Sequence, residues 1–245
     1  MTYENEILLD WYLLFHYGTA AEILHGGEVS ENQLPPGCLK FPLATVAAAP
    51  PGQGSQRALD LGCAVGRSTF ELSRTYEEVI GIDFSARFVA AGESLRNGDA
   101  LHYRRYGEMH RPEPLVARAP AGLTSERIRF EQGDAMDLRR DLGSFDLVHA
   151  ANLLCRLPEP LRLLKQLPAL VTGGGYLVLA TPATWMEEYT PRENQPLGAT
   201  LDYLREHLAE TFVLESVQEI PFLIREHQRK LQLSASQTSL WRRRG

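Results

Sequence analysis

Short apolar runs alternate with longer amphipathic segments along most of the chain, beginning near residue 57. The runs have the length and residue types of β-strands, and the segments between them show helical spacing of apolar positions. Strands are predicted at 57–61, 79–83, 127–132, 145–150, 175–180, 212–217 and 237–242. Helices are predicted at 66–75, 85–95, 160–167 and 201–208. This order indicates an α/β fold: a doubly wound, mostly parallel sheet of seven strands with helices on both faces.

The first 50 residues lack this alternation and are predicted to form an N-terminal helical cap. Apolar residues from Leu8 to Phe15 follow helical spacing, which predicts a helix over 5–16. A second helix is predicted over 41–49.

Two further segments interrupt the pattern. Residues 50–56, rich in proline and glycine, are predicted to be a flexible loop that leads into the first strand. Residues 99–125 contain no strand–helix unit and are predicted to be an insertion that forms a hairpin or a lid. We therefore expect a single domain over 1–245, with the cap at 1–50 and the core at 57–245.

A turn of small residues follows the first predicted strand and precedes a helix. Gly62, Ala64 and Gly66 occupy this turn, where small residues let a ligand approach the backbone and leave amide groups exposed at the helix start. Asp83 ends the next strand, at a distance that suits hydrogen bonds from ribose hydroxyls. The combination predicts a nucleotide-type cofactor at the carboxyl edge of the sheet.

Two further acidic residues favour S-adenosylmethionine over a dinucleotide. Asp60 lies just before the turn, where a carboxylate disfavours a pyrophosphate and suits a cationic cofactor. Asp134 follows the third strand and is placed to accept a hydrogen bond from the adenine amino group. A nicotinamide-dependent dehydrogenase is the alternative that these residues leave open.

Composition limits the partners and the location that we expect. The chain has 245 residues, 44% of them hydrophobic, and a net charge of −6. This charge, without a basic stripe carrying aromatic residues, disfavours nucleic-acid binding. No apolar stretch reaches the length of a membrane span and no signal peptide is evident, which predicts a cytoplasmic protein without membrane partners. The three cysteines are widely spaced and suit a reducing compartment, and the seven histidines predict no metal site.

Five segments spread over the chain resemble the carboxyl-terminal methyltransferase domain of ovothiol synthase. The similarity extends from about Tyr3 to Arg244. The segments that carry it are YLLFHYG (12–18), DLGCAVGRS (60–68), ANLLCRLP (151–158), EYTPREN (188–194) and FLIREH (222–227).

The resemblance implies a Rossmann-like class I methyltransferase that uses S-adenosylmethionine and releases S-adenosylhomocysteine. Its implied acceptor is 5-thiohistidine (4-mercaptohistidine in the other ring numbering), which is methylated on an imidazole nitrogen to give ovothiol A. The expected cofactor-binding residues are Tyr17, Gly62, Cys63, Ala64, Gly66, Arg67, Asp83, Phe84, Ser85, Asp134, Ala135 and Ala151.

The acceptor must present a ring nitrogen while its softer, more nucleophilic sulfur is held aside. Asn152, directly after the fourth strand, is expected to contact the acceptor as a catalytic residue. Arg225 is expected to pair with the amino-acid carboxylate and Glu226 with the ammonium group. His227 or His16 is expected to take the ring proton, if its pKa is suitable. The expected substrate-binding residues are Tyr12, Asn152, Arg156, Tyr189, Arg192, Asn194, Phe222, Arg225, Glu226 and His227.

In the fused ovothiol synthases, an iron-dependent sulfoxide synthase domain precedes the methyltransferase. This chain begins at the methyltransferase, so we expect a stand-alone last step or an excised domain, functionally coupled to a separate sulfoxide synthase. Two alternatives are a methyltransferase for another small heterocyclic or amino-acid acceptor and a noncatalytic cofactor-binding partner of a sulfoxide synthase. His149, within a predicted strand, is expected to pack in the sheet.

Overall fold

The computed structural model describes residues 4–50 and 56–245. The strands are β1 (Arg57–Leu61), β2 (Glu78–Asp83), β3 (Leu101–Glu108), β4 (Arg111–Ala117), β5 (Ile128–Gln132), β6 (Phe145–Ala151), β7 (Val171–Thr181), β8 (Phe212–His227) and β9 (Lys230–Arg243). The helices are α1 (Glu6–Tyr17), α2 (Ala20–Leu24), α3 (Phe41–Val46), α4 (Arg67–Leu72), α5 (Ala86–Arg96), α6 (Pro160–Leu170) and α7 (Thr200–Leu208). Most of the loop predicted at 50–56, and the first three residues of the cap, lie outside the described residues.

Seven of these strands form one sheet in the order β5-β2-β1-β6-β7-β9-β8. The strands from β5 to β7 pair in parallel, and β9 runs antiparallel to both of its neighbours. Residues 58–61 of β1 are buried one after another, as a parallel strand covered on both faces requires. The predicted seven-stranded, mostly parallel sheet is confirmed.

Helices cover both faces of the sheet. On one face Leu163 of α6 and Leu204 of α7 belong to the same buried core as Leu59. On the other face Leu72 of α4 packs with Ala58, the neighbour of Leu59 in β1. This alternation explains why a run of consecutive apolar residues forms the strand. Within the described ranges, no helix is long and apolar enough to cross a bilayer.

The last two strands are much longer than the sequence predicted. The prediction ended the first at residue 217, whereas β8 continues to His227 and β9 begins at Lys230. The far part of this hairpin leaves the sheet and packs on the cap, where Phe222 lies against Phe41 with ring centroids 5.0 Å apart. The polar residues 225–227 resemble a loop in sequence, but they belong to a strand whose other face is covered by the cap.

The insertion at 99–125 was predicted to form a hairpin or a lid, and it contains the antiparallel hairpin β3–β4. This hairpin packs on α1 through the buried side chain of Asp10. The Tyr106 hydroxyl donates to Asp10 Oδ2 (2.7 Å), and Arg104 donates to Asp10 from its backbone nitrogen (3.0 Å) and from Nε (2.9 Å). The hairpin therefore acts as a clamp that fixes α1.

Replacing Asp10 tests this clamp. Asp10→Ala leaves the Tyr106 hydroxyl and two N–H groups of Arg104 without their acceptor, so we expect the free energy of unfolding to fall by about 3 kcal/mol. Urea unfolding followed by circular dichroism measures the change. Glu6→Gln is the matched control, because Glu6 is exposed and pairs with the same Arg104 (2.9 Å); its loss should cost less than about 1 kcal/mol. Equal losses in the two variants would contradict the clamp.

Candidate functional site

A cavity of about 570 Å³ opens at the carboxyl ends of β1, β2 and β6, beneath α1 and α3. This volume is typical of small-molecule sites. The predicted cofactor residues that line it are Gly62, Cys63, Ala64, Asp83, Phe84, Asp134, Ala135 and Ala151. The predicted acceptor residues that line it are Tyr12, His16, Asn152, Arg156 and Tyr189. The fold thus brings together both sets, from segments far apart in the chain.

The turn after β1 depends on backbone conformations that favour glycine. Gly62 and Gly66 have φ values of +68° and +89°. A Cβ at Gly66 would lie 2.5 Å from Phe130 Cζ, and one at Gly62 would lie 3.0 Å from Leu153. Only glycine lets this turn lie against its neighbours with its backbone facing the cavity.

Asp83 orients the turn and closes the cofactor end of the cavity. Its Oδ2 accepts a hydrogen bond from the backbone nitrogen of Ala64 (2.9 Å), and its Oδ1 accepts one from that of Ser85 (2.9 Å). Burial raises the pKa of Asp83, while these two amide donors oppose the rise. The fixed carboxyl group retains lone pairs that can accept hydroxyl donors.

Four predicted cofactor residues support this turn without lining the cavity. The Tyr17 hydroxyl donates to the Val65 carbonyl (2.7 Å), and Ser85 caps α5. Gly66 packs on Phe130, and the Arg67 guanidinium lies 3.7 Å from Glu71. Their positions favour a structural contribution to cofactor binding.

A buried hydrogen-bonded network lies beneath the cavity and was missed by the sequence analysis. Asp60 Oδ1 lies 2.8 Å from His149 Nδ1, and Asp60 Oδ2 accepts from the Thr69 hydroxyl (2.7 Å). His149 Nε2 lies 3.0 Å from the Thr45 hydroxyl of α3. His149 is buried in the sheet, as expected, but it also lines the cavity. The register of β1 and β6 places Asp60 opposite His149. This pairing cannot be recognised in the sequence until the two strands are aligned.

One face of α1 forms the end of the cavity that is lined by predicted acceptor residues, which we call the acceptor end. Tyr12, Phe15 and His16 line it, and the His16 ring centroid lies 5.3 Å from that of Phe15 and 5.9 Å from that of Tyr12. Burial, together with the nearby Arg67 guanidinium, lowers the pKa of His16 to about 3. His16 Nδ1 is buried and has no hydrogen-bond partner among the described residues. These properties correct the expectation that His16 takes the ring proton, because so weak a base stays neutral near pH 7.

Asn152 lies at the junction of the two ends of the cavity, directly after β6. Its φ is +56°, in the left-handed region that asparagine tolerates better than most residues. Its backbone nitrogen donates to the Ala180 carbonyl (2.8 Å), and its Oδ1 accepts from the Ser236 hydroxyl (2.6 Å). The amide is therefore fixed, with its Nδ2 group as a donor for the cavity.

Arg156 lines the cavity beside the loop that carries Tyr189. Its guanidinium lies 4.8 Å from the centre of the Tyr189 ring and donates to the Thr184 carbonyl (2.9 Å). Glu188 lines the cavity beside this pair. The cavity lining thus contains a positive and a negative side chain, which the fold brings together from segments 32 residues apart.

The structure does not bring Arg225, Glu226 and His227 to the cavity. Arg225 is buried and donates to the carbonyls of Ile23 and His25 (2.7 Å each). Glu226 pairs with Lys230 at 2.7 Å, and His227 Nδ1 accepts from the backbone nitrogen of Arg229 at 3.3 Å. The predicted roles of these three residues in binding and proton transfer are corrected: Arg225 joins the cap to the β8–β9 hairpin, and Glu226 and His227 bond to residues within that hairpin.

Three further predicted substrate residues lie outside the cavity lining. Phe222 is buried against Phe41. Asn194 donates to the Pro158 carbonyl (2.9 Å), and Arg192 is exposed. Asn194 therefore fixes the loop that carries Tyr189, while Arg192 faces solvent.

Charge in the cavity favours a cationic ligand. Among the described residues, four acids and a single lysine or arginine, Arg156, line it: the acids are Asp60, Asp83, Asp134 and Glu188. A sulfonium is stabilised by such surroundings, and a pyrophosphate is not. No cluster of three or more potential metal-ligating side chains occurs among the described residues.

Comparison with known proteins agrees with this geometry. The model of a methyltransferase domain family matches residues 39–227. The trans-aconitate 2-methyltransferase of Deinococcus radiodurans is 29% identical over 144 residues, which cover 58% of this chain and 44% of that protein. The O-methyltransferase cnsE of Penicillium expansum is 30% identical over 131 residues, covering 53% and 39%. The matched regions thus span less than half the length of these curated relatives.

A solved structure shares the fold over nearly the whole chain. The N-methyltransferase NodS from Bradyrhizobium japonicum WM9, in complex with S-adenosyl-L-homocysteine, superimposes with a TM-score of 0.53 at 13% identity. The superposition covers 96% of this chain and 98% of that one.

Gly66→Ala tests the steric limit at the turn. The new Cβ would meet the Phe130 ring, so we expect the free energy of unfolding to fall by about 3 kcal/mol or more. Gly98→Ala is a close control, since Gly98 has the same φ of +89° and a Cβ added there would have nothing within 4 Å. Its free energy of unfolding should fall by only about 1 kcal/mol, because of the backbone strain alone. Chemical denaturation measures both, and similar losses would rule out the clash.

The low pKa of His16 makes a prediction for acid stability. The folded-state pKa of about 3 lies below the ordinary 6.5, so the unfolded chain binds the extra proton between these values. The folded state should therefore lose stability as the pH falls below about 6.5, by up to about 2 kcal/mol at pH 5. His16→Gln should remove this loss when unfolding is measured from pH 7 to pH 4. His110→Gln, at an exposed turn, should leave the wild-type slope unchanged; an unchanged slope in His16→Gln would contradict the assigned burial.

Proposed function

Because this chain belongs to the methyltransferase domain family, we propose that it methylates a ring nitrogen of 5-thiohistidine to give ovothiol A. As a member of that family it uses S-adenosylmethionine as its cofactor. The acceptor, and the transfer to nitrogen rather than oxygen, are the parts that we propose.

The residues at the cofactor end of the cavity fit S-adenosylmethionine. Gly62, Cys63 and Ala64 of the turn line the cavity, and the oriented Asp83 carboxyl group can accept ribose hydroxyls. Asp134, whose Oδ1 accepts from the backbone nitrogen of Met136 (2.8 Å), lines the cavity where an adenine edge is expected. The excess of acidic groups suits the positive charge of the sulfonium.

The observation that carries the proposal is the convergence of the segments that resemble ovothiol synthase. Three of the five, 12–18, 60–68 and 151–158, each contribute three or more lining residues; segment 188–194 contributes two and segment 222–227 contributes Ile224. Segments that are far apart in the chain thus meet at one cavity. This supports an acceptor site of the kind that the resemblance implies.

The acceptor end also has the chemistry that a zwitterionic amino acid requires. We assign the carboxylate to Arg156 and the ammonium group to Glu188, in place of Arg225 and Glu226. Arginine binds a carboxylate through two parallel N–H donors, and its stacking on Tyr189 limits its motion. The aromatic face of α1 would then cover the ring.

The transfer needs no basic residue when the ring binds as a thiolate with one unprotonated nitrogen. The bound cofactor supplies a methyl group on a positively charged sulfur. The lone pair of the ring nitrogen forms the new C–N bond, while the electrons of the broken C–S bond remain on the cofactor sulfur. The product ring is an imidazolium thiolate, so charge balances without a proton acceptor. This suits a cavity in which His16 is neutral and whose lining does not include His227.

Orientation in a water-poor cavity would supply most of the acceleration. The fixed amide of Asn152, between the two ends of the cavity, is the residue that we assign to aligning the acceptor. We further propose that a separate iron-dependent sulfoxide synthase supplies the thiolated substrate.

Incubation with S-adenosylmethionine and 5-thiohistidine tests the function, with products identified by mass spectrometry and NMR. We expect methylation of a ring nitrogen. Arg156→Gln should raise the KM for 5-thiohistidine about 10- to 100-fold with kcat within about threefold, because one charge-assisted contact is lost. Arg192→Gln, an exposed arginine outside the cavity, should behave as the wild type.

Two outcomes would overturn the proposal or its anchor. No methylation of 5-thiohistidine, with turnover of another heterocycle or of an oxygen acceptor, would reassign the substrate. An unchanged KM in Arg156→Gln would remove Arg156 as the carboxylate partner.

A further inference from the structure

The proposed acceptor carries two nucleophiles on one ring, and something in the cavity must distinguish them. A thiolate sulfur is softer than a ring nitrogen and is intrinsically the better nucleophile toward a methyl group. Methylation on sulfur would also balance, since the thiolate would become a neutral thioether. Selection of nitrogen therefore has to come from where the cavity holds the sulfur.

His16 has the position and chemistry to hold it. The ring lines the cavity from α1, and its Nδ1 is buried with no hydrogen-bond partner among the described residues. A buried N–H without an acceptor is rarer in proteins than a buried acceptor without a donor. We therefore assign the proton to Nε2 and the lone pair to Nδ1. With Nδ1 turned into the protein, the edge that faces the cavity carries the N–H donor.

The charge state of His16 supports this assignment. Burial and the Arg67 guanidinium lower its pKa to about 3, so the ring is neutral at physiological pH and carries one N–H. The positively charged cofactor would oppose protonation further. His16 can therefore donate a hydrogen bond, but it neither gives up a proton nor acts as a useful base.

The surroundings of His16 also suit sulfur. Phe15 and Tyr12 flank the imidazole, with ring centroids 5.3 and 5.9 Å away. Sulfur makes favourable contacts at the edges of aromatic rings, which carry partial positive charge. A single N–H donor within an aromatic wall is a better match for a large, weakly hydrated anion than for an oxygen anion.

We propose that the Nε2–H group of His16 donates a hydrogen bond to the thiolate sulfur of the acceptor and thereby leaves the ring nitrogen to receive the methyl group. This rests on the proposed function. His16 is then a specificity-determining residue, and no proton is transferred to or from it.

The ratio of S-methyl to N-methyl product from 5-thiohistidine tests this. His16→Phe keeps an aromatic ring and removes the donor, so we expect the ratio to rise at least about tenfold and kcat/KM for N-methylation to fall at least about tenfold. His16→Gln keeps an N–H donor and should stay within about threefold of the wild-type ratio. His110→Gln, at the exposed turn of the β3–β4 hairpin, is the control and should match the wild type. Binding of S-adenosylhomocysteine, measured by calorimetry, reports whether each variant is folded.

A second measurement uses the wild-type protein and does not depend on a variant. In ¹⁵N-labelled protein with S-adenosylhomocysteine, the His16 imidazole should show the Nε2–H tautomer, and 5-thiohistidine should shift that N–H downfield. An Nδ1–H tautomer, or an unshifted signal with bound 5-thiohistidine, would overturn the inference.

The outcomes separate the two proposals. If the wild type does not methylate 5-thiohistidine, the proposed function fails. If the wild type produces the N-methyl product and folded His16→Phe gives the same product ratio, the function stands and the role of His16 is wrong.

Discussion

The hydrogen bond between Asp60 and His149 holds the two halves of the cavity together. It joins β1, which leads into the cofactor turn, to β6, which ends at Asn152. Thr69 attaches α4 to the same carboxyl group, and Thr45 attaches α3 to the same imidazole. Both members of the pair are about 1% exposed, so loss of either one would leave the facing polar atom of the other buried without a partner. One buried contact thus sets the separation between the cofactor turn, the fixed amide of Asn152 and the cap.

A second set of buried polar groups determines where α1 lies. Asp10 attaches one face of α1 to the β3–β4 hairpin, and Arg225 attaches the following segment to the end of β8. The opposite face of α1 presents Tyr12 and His16 to the cavity. Arg225, which was predicted to bind an amino-acid carboxylate, is therefore used to position the cap. A buried arginine whose two Nη groups are bound to backbone carbonyls is not free to bind a ligand with them.

The sequence predicted the core of the fold well because hydrophobic periodicity is a local property. Neighbouring residues in the sequence are enough to recognise the buried run of β1, the glycines of the turn and Asp83. The structure places the turn and Asp83 at the cavity. The pairing of Asp60 with His149 was missed because it depends on the register of two strands that are 89 residues apart. The length of β8 was missed for a similar reason: its outer part is stabilised by the cap and not by its own alternation. Arg225 and His227 were misplaced because a polar strand end and a polar loop have the same composition.

The burial of His16 connects the clamp to the proposed chemistry. In the proposed reaction, methyl transfer from a positively charged sulfur to a ring that carries a thiolate brings opposite charges together, and excluding water from the cavity would strengthen that attraction. A protonated imidazole in the same wall would compete with the cofactor for the acidic groups and would repel its sulfonium. The cap prevents this by holding His16 where desolvation keeps it neutral. Under the proposed function, the face of α1 opposite Asp10 does two things at once: it excludes water from the acceptor and supplies a hydrogen-bond donor that carries no charge.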